Sequence, residues 1–124
     1  MTLAISTAHR AARNQASITL AGAASTLRFY TAEGGTLLAT RTLANPAGTI
    51  NAQGRIVLSA SAPDLVAETG SVTWAEWCDS AGSVMAAGTV TDQAGAGDFK
   101  LAGTSGTMVY AGGIVMLATP ALLG

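Results

Sequence analysis

The stretch Ser71-Val72-Thr73-Trp74-Ala75-Glu76-Trp77-Cys78-Asp79, then Ser80-Ala81-Gly82, then Val84-Met85-Ala86-Ala87-Gly88-Thr89-Val90-Thr91, decides the fold class. Successive side chains on a strand point to opposite faces. Val72, Trp74 and Cys78 therefore share one face, and Ala75 and Trp77 the other. A small-residue turn between two such runs predicts a β-hairpin of residues 74–79 with 84–90. Apolar weight on both faces predicts a central strand covered on both sides, or one face buried and one in a subunit contact. Glu76 falls on the Trp74 face, which conflicts with simple burial. Either the strand bulges there or Glu76 has a partner such as an arginine.

The same pattern extends outward in both directions. Residues 26–31 read as a strand with Leu27 and Phe29 on one face and Arg28 and Tyr30 on the other. Ala32-Glu33-Gly34-Gly35 supplies a turn into a strand at 36–43, where Leu37, Ala39, Arg41 and Leu43 oppose Leu38, Thr40 and Thr42. Asn45 and Pro46 are expected to end it, because proline cannot donate to a ladder. A turn at 51–54 precedes a strand at 55–59, and residues 61–70 read as a longer connection. Beyond the hairpin, 92–97 is a glycine-rich loop, 98–102 a short strand with Phe99 and Leu101 inward, 103–106 a turn, and 107–111 and 114–119 the closing strands. Short strands separated by turn clusters predict an all-β fold, a β-sandwich or jelly-roll-like arrangement of about eight short antiparallel strands. No internal repeat is visible, which excludes solenoids and propellers.

One helix precedes this, over residues 6–15. Ser6 or Thr7 can cap it, since a hydroxyl oxygen accepts from an otherwise unpaired N–H. Ala8, Ala11, Ala12 and Ala16 favour helix, with Leu3, Ile5, Ile18 and Leu20 as flanking apolar weight. Its apolar face is small, so it lies against the sheets or serves as a docking arm. The chain thus divides into an arm and short helix (1–24) and a β-sandwich domain (25–124).

Composition narrows the functional classes. Of 124 residues, 49% are hydrophobic but only 5% aromatic, and charged residues are 10%, against roughly 25% in a typical soluble domain. A surface so poor in charge suits packing against partners. The net charge is −1. The basic residues Arg10, Arg13, Arg28, Arg41, Arg55 and Lys100 are scattered, so a nucleic-acid track is unsupported. The start of the chain lacks the basic region of a signal peptide. Residues 101–124 carry no charge, but Gly103, Gly106, Gly112, Gly113 and Pro120 interrupt them, so two buried strands are expected there and no membrane span.

Motifs for catalysis are missing from the sequence. His9 is the single histidine, in the alanine-rich helix beside Arg10, and reads as solvent-facing. Cys78 has no second cysteine to pair with; its neighbours Glu76 and Asp79 disfavour a thiolate, so a buried structural thiol is expected. One Cys and one His cannot complete a zinc site. Gly95-Ala96-Gly97 lacks the lysine of a phosphate loop. Asp92 and Asp98 flank that loop and could help hold calcium, but calcium wants six to eight oxygens, and an ordinary polar loop is the simpler reading. Glu68 and Glu76 lack the surroundings of a glycosidase pair. Trp74 and Trp77 read as core or interface residues. No catalytic, cofactor or metal residues are assigned, no cofactor is expected, and the chain is read as not an enzyme.

The segments Ser6-Thr7-Ala8-His9-Arg10-Ala11-Ala12-Arg13-Asn14, Ser25-Thr26-Leu27-Arg28-Phe29-Tyr30-Thr31, Val72-Thr73-Trp74-Ala75-Glu76-Trp77-Cys78-Asp79-Ser80-Ala81-Gly82, Asp98-Phe99-Lys100-Leu101 and Val109-Tyr110-Ala111-Gly112-Gly113-Ile114-Val115 carry a resemblance. In this order they resemble small virion structural proteins of tailed bacteriophages. The chain differs in a shorter region between helix and first strand, and in Asn14, Gln15 and Ser17 at apolar helix positions. The resemblance implies a capsid decoration (cement) protein that binds the major capsid protein on the outside of the head. It implies a homo-oligomer, a trimer before other states, made in the host cytoplasm and located in the virion. The alternatives are a tail, baseplate or head–tail joining component, and, outside virions, a ligand- or glycan-binding β-sandwich module.

Overall fold

A computed structural model describes residues 4–61, 65–101, 106–114 and 122–123. The protein is mostly β, with one N-terminal helix. The helix α1 spans Thr7–Ala21, and the strands are β1 (Thr26–Tyr30), β2 (Leu37–Ile50), β3 (Ile56–Ala60), β4 (Gly70–Ser71), β5 (Trp74–Cys78), β6 (Val84–Asp92), β7 (Phe99–Leu101), β8 (Met108–Val109) and β9 (Leu122–Leu123). The main sheet runs β7-β6-β5-β1-β2-β3-β9, and β4 pairs with β8 in a second, two-stranded sheet. All but the first residue of the closing strand expected at 114–119, and most of the turn at 103–106, lie outside the described residues.

The hairpin forms as the alternation predicts. β5 pairs antiparallel with β6, Trp74 opposite Thr89 and Glu76 opposite Ala87. The turn closes through Asp79 N–H to Ser83 O at 2.9 Å and Gly82 N–H to Asp79 O at 3.0 Å. The Asp79 carboxylate accepts from Ala81 and Ser83 N–H. β5 is central, flanked by β1 and β6. Ala75 and Trp77 are buried, while Trp74 and Glu76 are half-buried. The expected single strand from residue 71 is in fact two. β4 pairs with β8, and the chain changes partner between Val72, whose N–H donates to Thr107 O, and Thr73, whose N–H donates to Tyr30 O. Cys78 is fully buried, at the point where the register against β6 shifts.

β1 carries Leu27 and Phe29 inward, both fully buried. Burying a side chain of this size stabilises the fold by roughly 1.5–3 kcal/mol. β2 departs from expectation. Its strand does not end at Asn45-Pro46 but continues to Ile50, because a bulge absorbs the proline: the register against β3 shifts between Leu43 and Gly48. Asn45 and Pro46 are exposed within that bulge, and their peptide bond is cis. A bulge leaves residues unpaired, so the missing N–H breaks no ladder bond. Arg41 is buried, as its position opposite Leu27 requires.

A second departure concerns strand direction. The strands are not all antiparallel. β7 pairs parallel to β6, Val90 opposite Phe99 and Asp92 opposite Leu101. Parallel neighbours usually need a crossover of a dozen or more residues, yet here the return loop is only residues 93–98. It fits because Gly95 and Gly97 lie against Thr91, where a Cβ would come within 2.5 Å and 2.8 Å of it.

The helix also differs from its expected length. Ser6 is the N-cap, its Oγ accepting from His9 N–H at 3.1 Å. The alanine run predicts an end at Gln15, but Ile18 and Ala21 are buried against the sheet, and this packing outweighs the weak helix propensity of Ile18 and Thr19. Gly22 then stops the helix at φ 77°. The face turned to the sheet reads Arg10, Ala11, Asn14, Ser17, Ile18 and Ala21. Half of it is polar. Arg10 Nη1 donates to Gln53 O and Asn14 Nδ2 donates to Gly54 O at 2.7 Å.

Candidate functional site

The residues with catalytic potential are dispersed. His9 is exposed in the first turn of α1. Cys78 lies in β5 among core residues, and burial pushes its thiol above the ordinary value of 9.0; Arg28 opposes this, and Glu76 and Asp79 add to it. The protonated thiol is a poor nucleophile. In the native state Cys78 should therefore resist a thiol reagent that labels a free cysteine quickly. Labelling should speed up at least about a hundredfold in denaturant, as expected for a site reached only by unfolding; absorbance of the released thiolate reports it. Glu68 lies in the connection beside β2, its N–H donating to Leu38 O, whereas Glu76 is in β5.

The sequence predicts for Glu76 either a bulge or a partner such as an arginine, and the register against β6 shifts just after it, between Trp77 and Cys78. Arg28 lies directly opposite Glu76 on β1. Tyr30 faces Trp74 in the next row; desolvation first and then the neighbouring Glu76 carboxylate raise its pKa, and Arg28 lowers it. The neighbouring indole Nε1 of Trp74 is buried without a hydrogen-bond partner among the described residues.

The loop between Asp92 and Asp98 uses both carboxylates internally. Asp92 Oδ1 accepts from Ala94 and Gly95 N–H, and Oδ2 accepts from Gly106 N–H at 2.8 Å. Asp98 Oδ2 accepts from Thr89 N–H at 3.0 Å and from its hydroxyl. These bonds hold the return loop on β6 and tie it to the chain leading into β8. Among the described residues, no group of three or more His, Cys, Asp or Glu is placed to hold a metal ion. The backbone donor Gly106, then Ala94 and Gly95, hold the Asp92 carboxyl below its ordinary 3.8, against a smaller opposing desolvation. A lowered folded pKa stabilises the protein above the unfolded value, and this contribution is lost as pH falls through the folded one. The Gly106 amide resonance should therefore titrate below the ordinary carboxylate range. Asp92→Asn should abolish that titration in an NMR pH series.

The remaining unusual surface is apolar. Leu65 and Ile114 are bridge partners, 66% and 55% exposed. Val66 N–H donates to Gly113 O, and Gly112 N–H donates to Val66 O. Tyr110, one residue before that turn, is 64% exposed, and Met108 on β8 is 44% exposed. These four large apolar side chains are exposed on the bridge, on β8 and just after it, in a chain of low charge. The sequence predicts buried strands at 107–111 and 114–119, whereas Met108, Tyr110 and Ile114 are exposed; Leu65 and Ile114 are 49 positions apart (114 − 65) and the bridge joins them. Among the described residues no helix is long and apolar enough to cross a membrane.

Comparison of the chain with protein-family models, curated proteins and solved structures finds no match.

Proposed function

We propose that the chain is a structural virion protein of the capsid-decoration type. It acts by adhesion, without catalysis. It binds the major capsid protein on the outside of the head as a homo-oligomer, trimeric before other states, after synthesis in the host cytoplasm. In this reading the helix and arm (1–24) serve a β domain (25–124) whose sheets close as a sandwich or jelly roll. The observation that supports it is the exposure of the large side chains Leu65, Met108, Tyr110 and Ile114 on a chain with only 10% charged residues. Tyrosine and methionine are enriched in interface cores while charged residues are depleted there. Many weak contacts on a shell add through effective concentration.

The test is cosedimentation of the purified protein with shells of a tailed-phage major capsid protein from the same source, together with light scattering. Saturable binding that Tyr110→Ala and Ile114→Ala weaken at least about tenfold, equal to a loss of 1.4 kcal/mol, is the expected result. A stable hexameric ring that ignores shells would replace this reading with a tail or joining component. Micromolar glycan binding without shell binding would replace it with a ligand-binding module.

A further inference from the structure

We propose that α1 opens as a unit about Gly22 and exchanges between copies of this chain, the helix of one copy docking on the sheet of the next. The helix is held mainly by polar bonds. Its N-terminal half is tied to the turn before β3 through Arg10 to Gln53 O and Asn14 to Gly54 O. Its C-terminal end is tied to the β5–β6 turn, where Ser80 N–H and Oγ both donate to Ala21 O. Of its fifteen residues only Ile18 and Ala21 are buried. Water can replace the polar bonds when the helix lifts, so little opposes opening except those two side chains.

The joint is built for a sharp turn. Gly22 has φ 77° and ψ −164°, a conformation open essentially to glycine alone. A Cβ there would come within 2.5 Å of Ser80 Oγ. Only residues 22–25 link the helix to β1. Exchange of an element across a short, constrained connection is a low-cost route to oligomers. A helix that lifts leaves the groove for Ile18 and Ala21 open. The chain certain to refill it with every bond remade is a second copy, carrying the same Arg10, Asn14, Ile18 and Ala21.

This deepens the homo-oligomer part of the function proposed above. Its test uses the purified chain alone, so shell binding succeeds or fails separately. Full-length Arg10→Cys protein and mass-tagged full-length Gln53→Cys protein are unfolded, mixed, refolded at high concentration and treated with a short bis-maleimide. The expected result is a mixed covalent dimer at least about tenfold above that from Ser83→Cys with tagged Gln53→Cys, a pair that exchange does not bring together. In the unmodified protein, amide exchange in α1 should be at least about tenfold faster than in β5, as for a unit that opens below the global transition. A mixed dimer no more abundant than the control overturns the proposal. Equal protection of α1 and β5 overturns it as well.

Discussion

A Ser25→Ala variant is expected to lose about 2–4 kcal/mol of stability, although it removes a single oxygen. Ser25 is fully buried between α1 and β1. Its hydroxyl donates to Cys78 O at 2.7 Å and accepts from Trp77 Nε1 at 2.6 Å. One side chain thus satisfies the indole of the largest core residue of β5 and a carbonyl at the bulge beside it. Alanine leaves the indole N–H, and the side of Cys78 O that the hydroxyl occupied, without that partner in a buried site. Each buried group stranded in this way costs roughly 1–3 kcal/mol. For a chain of this length such a loss lowers Tm by roughly 10 °C. The cause can be isolated. Trp77→Phe removes the stranded donor, so the double variant should fall short of the sum of the two single losses by about 1 kcal/mol or more. Additive losses in urea denaturation would show that the hydroxyl acts otherwise.

Gly54→Ala is expected to cost a similar 2–4 kcal/mol, by two routes that add. Gly54 has φ +78°, where a side chain meets the backbone at a cost of roughly 1–2 kcal/mol. A Cβ would also lie 2.7 Å from Thr7 O and 3.1 Å from Ala11 N. These are backbone atoms of α1 and cannot rotate aside, so the turn and the helix must separate at an overpacking cost of roughly 1–3 kcal/mol. Gly34→Ala is the control. Its φ is +73°, but nothing lies within 4 Å of the added carbon, so only the conformational part remains. Urea midpoints of the two variants should therefore differ, with Gly54→Ala the lower.

The sequence was most informative where local pattern and tertiary fold agree. The hairpin of β5 and β6 could be read because Trp74 to Cys78 alternate and Asp79 to Gly82 can only turn. Leu27 and Phe29 could be read inward for the same reason. Pattern failed where tertiary packing set the outcome. The alanine run said nothing of Ile18 and Ala21 finding the sheet. Pro46 was read as a terminator because its missing donor is a local fact, whereas the bulge that tolerates it is a property of the pairing with β3. The parallel seam of β6 and β7 was hidden because a six-residue loop ordinarily signals a hairpin; it depends on Asp98, Thr91 and two glycines acting together. Tyr110 and Ile114 could be seen as apolar residues, but their exposure, and the bridge from Ile114 to Leu65, could not. Glu76 was the reverse case: its misfit on an apolar face pointed to a bulge or an arginine, and the structure has Arg28 opposite it and a register shift one residue further on.

The strand order bears on how the chain reaches this state. Read across the main sheet, β1-β2-β3 and β5-β6 are each built from near neighbours in sequence, and they meet at the seam between β1 and β5. Hairpins close small loops and form early, whereas joining Ser25 to Trp77 closes a loop of 52 residues. The seam is thus where the two halves must find each other, and the Ser25 hydroxyl sits at its end. The slow steps are therefore the long-range pairings, this seam and the still more distant one of Ile56 with Leu123, more than the hairpins.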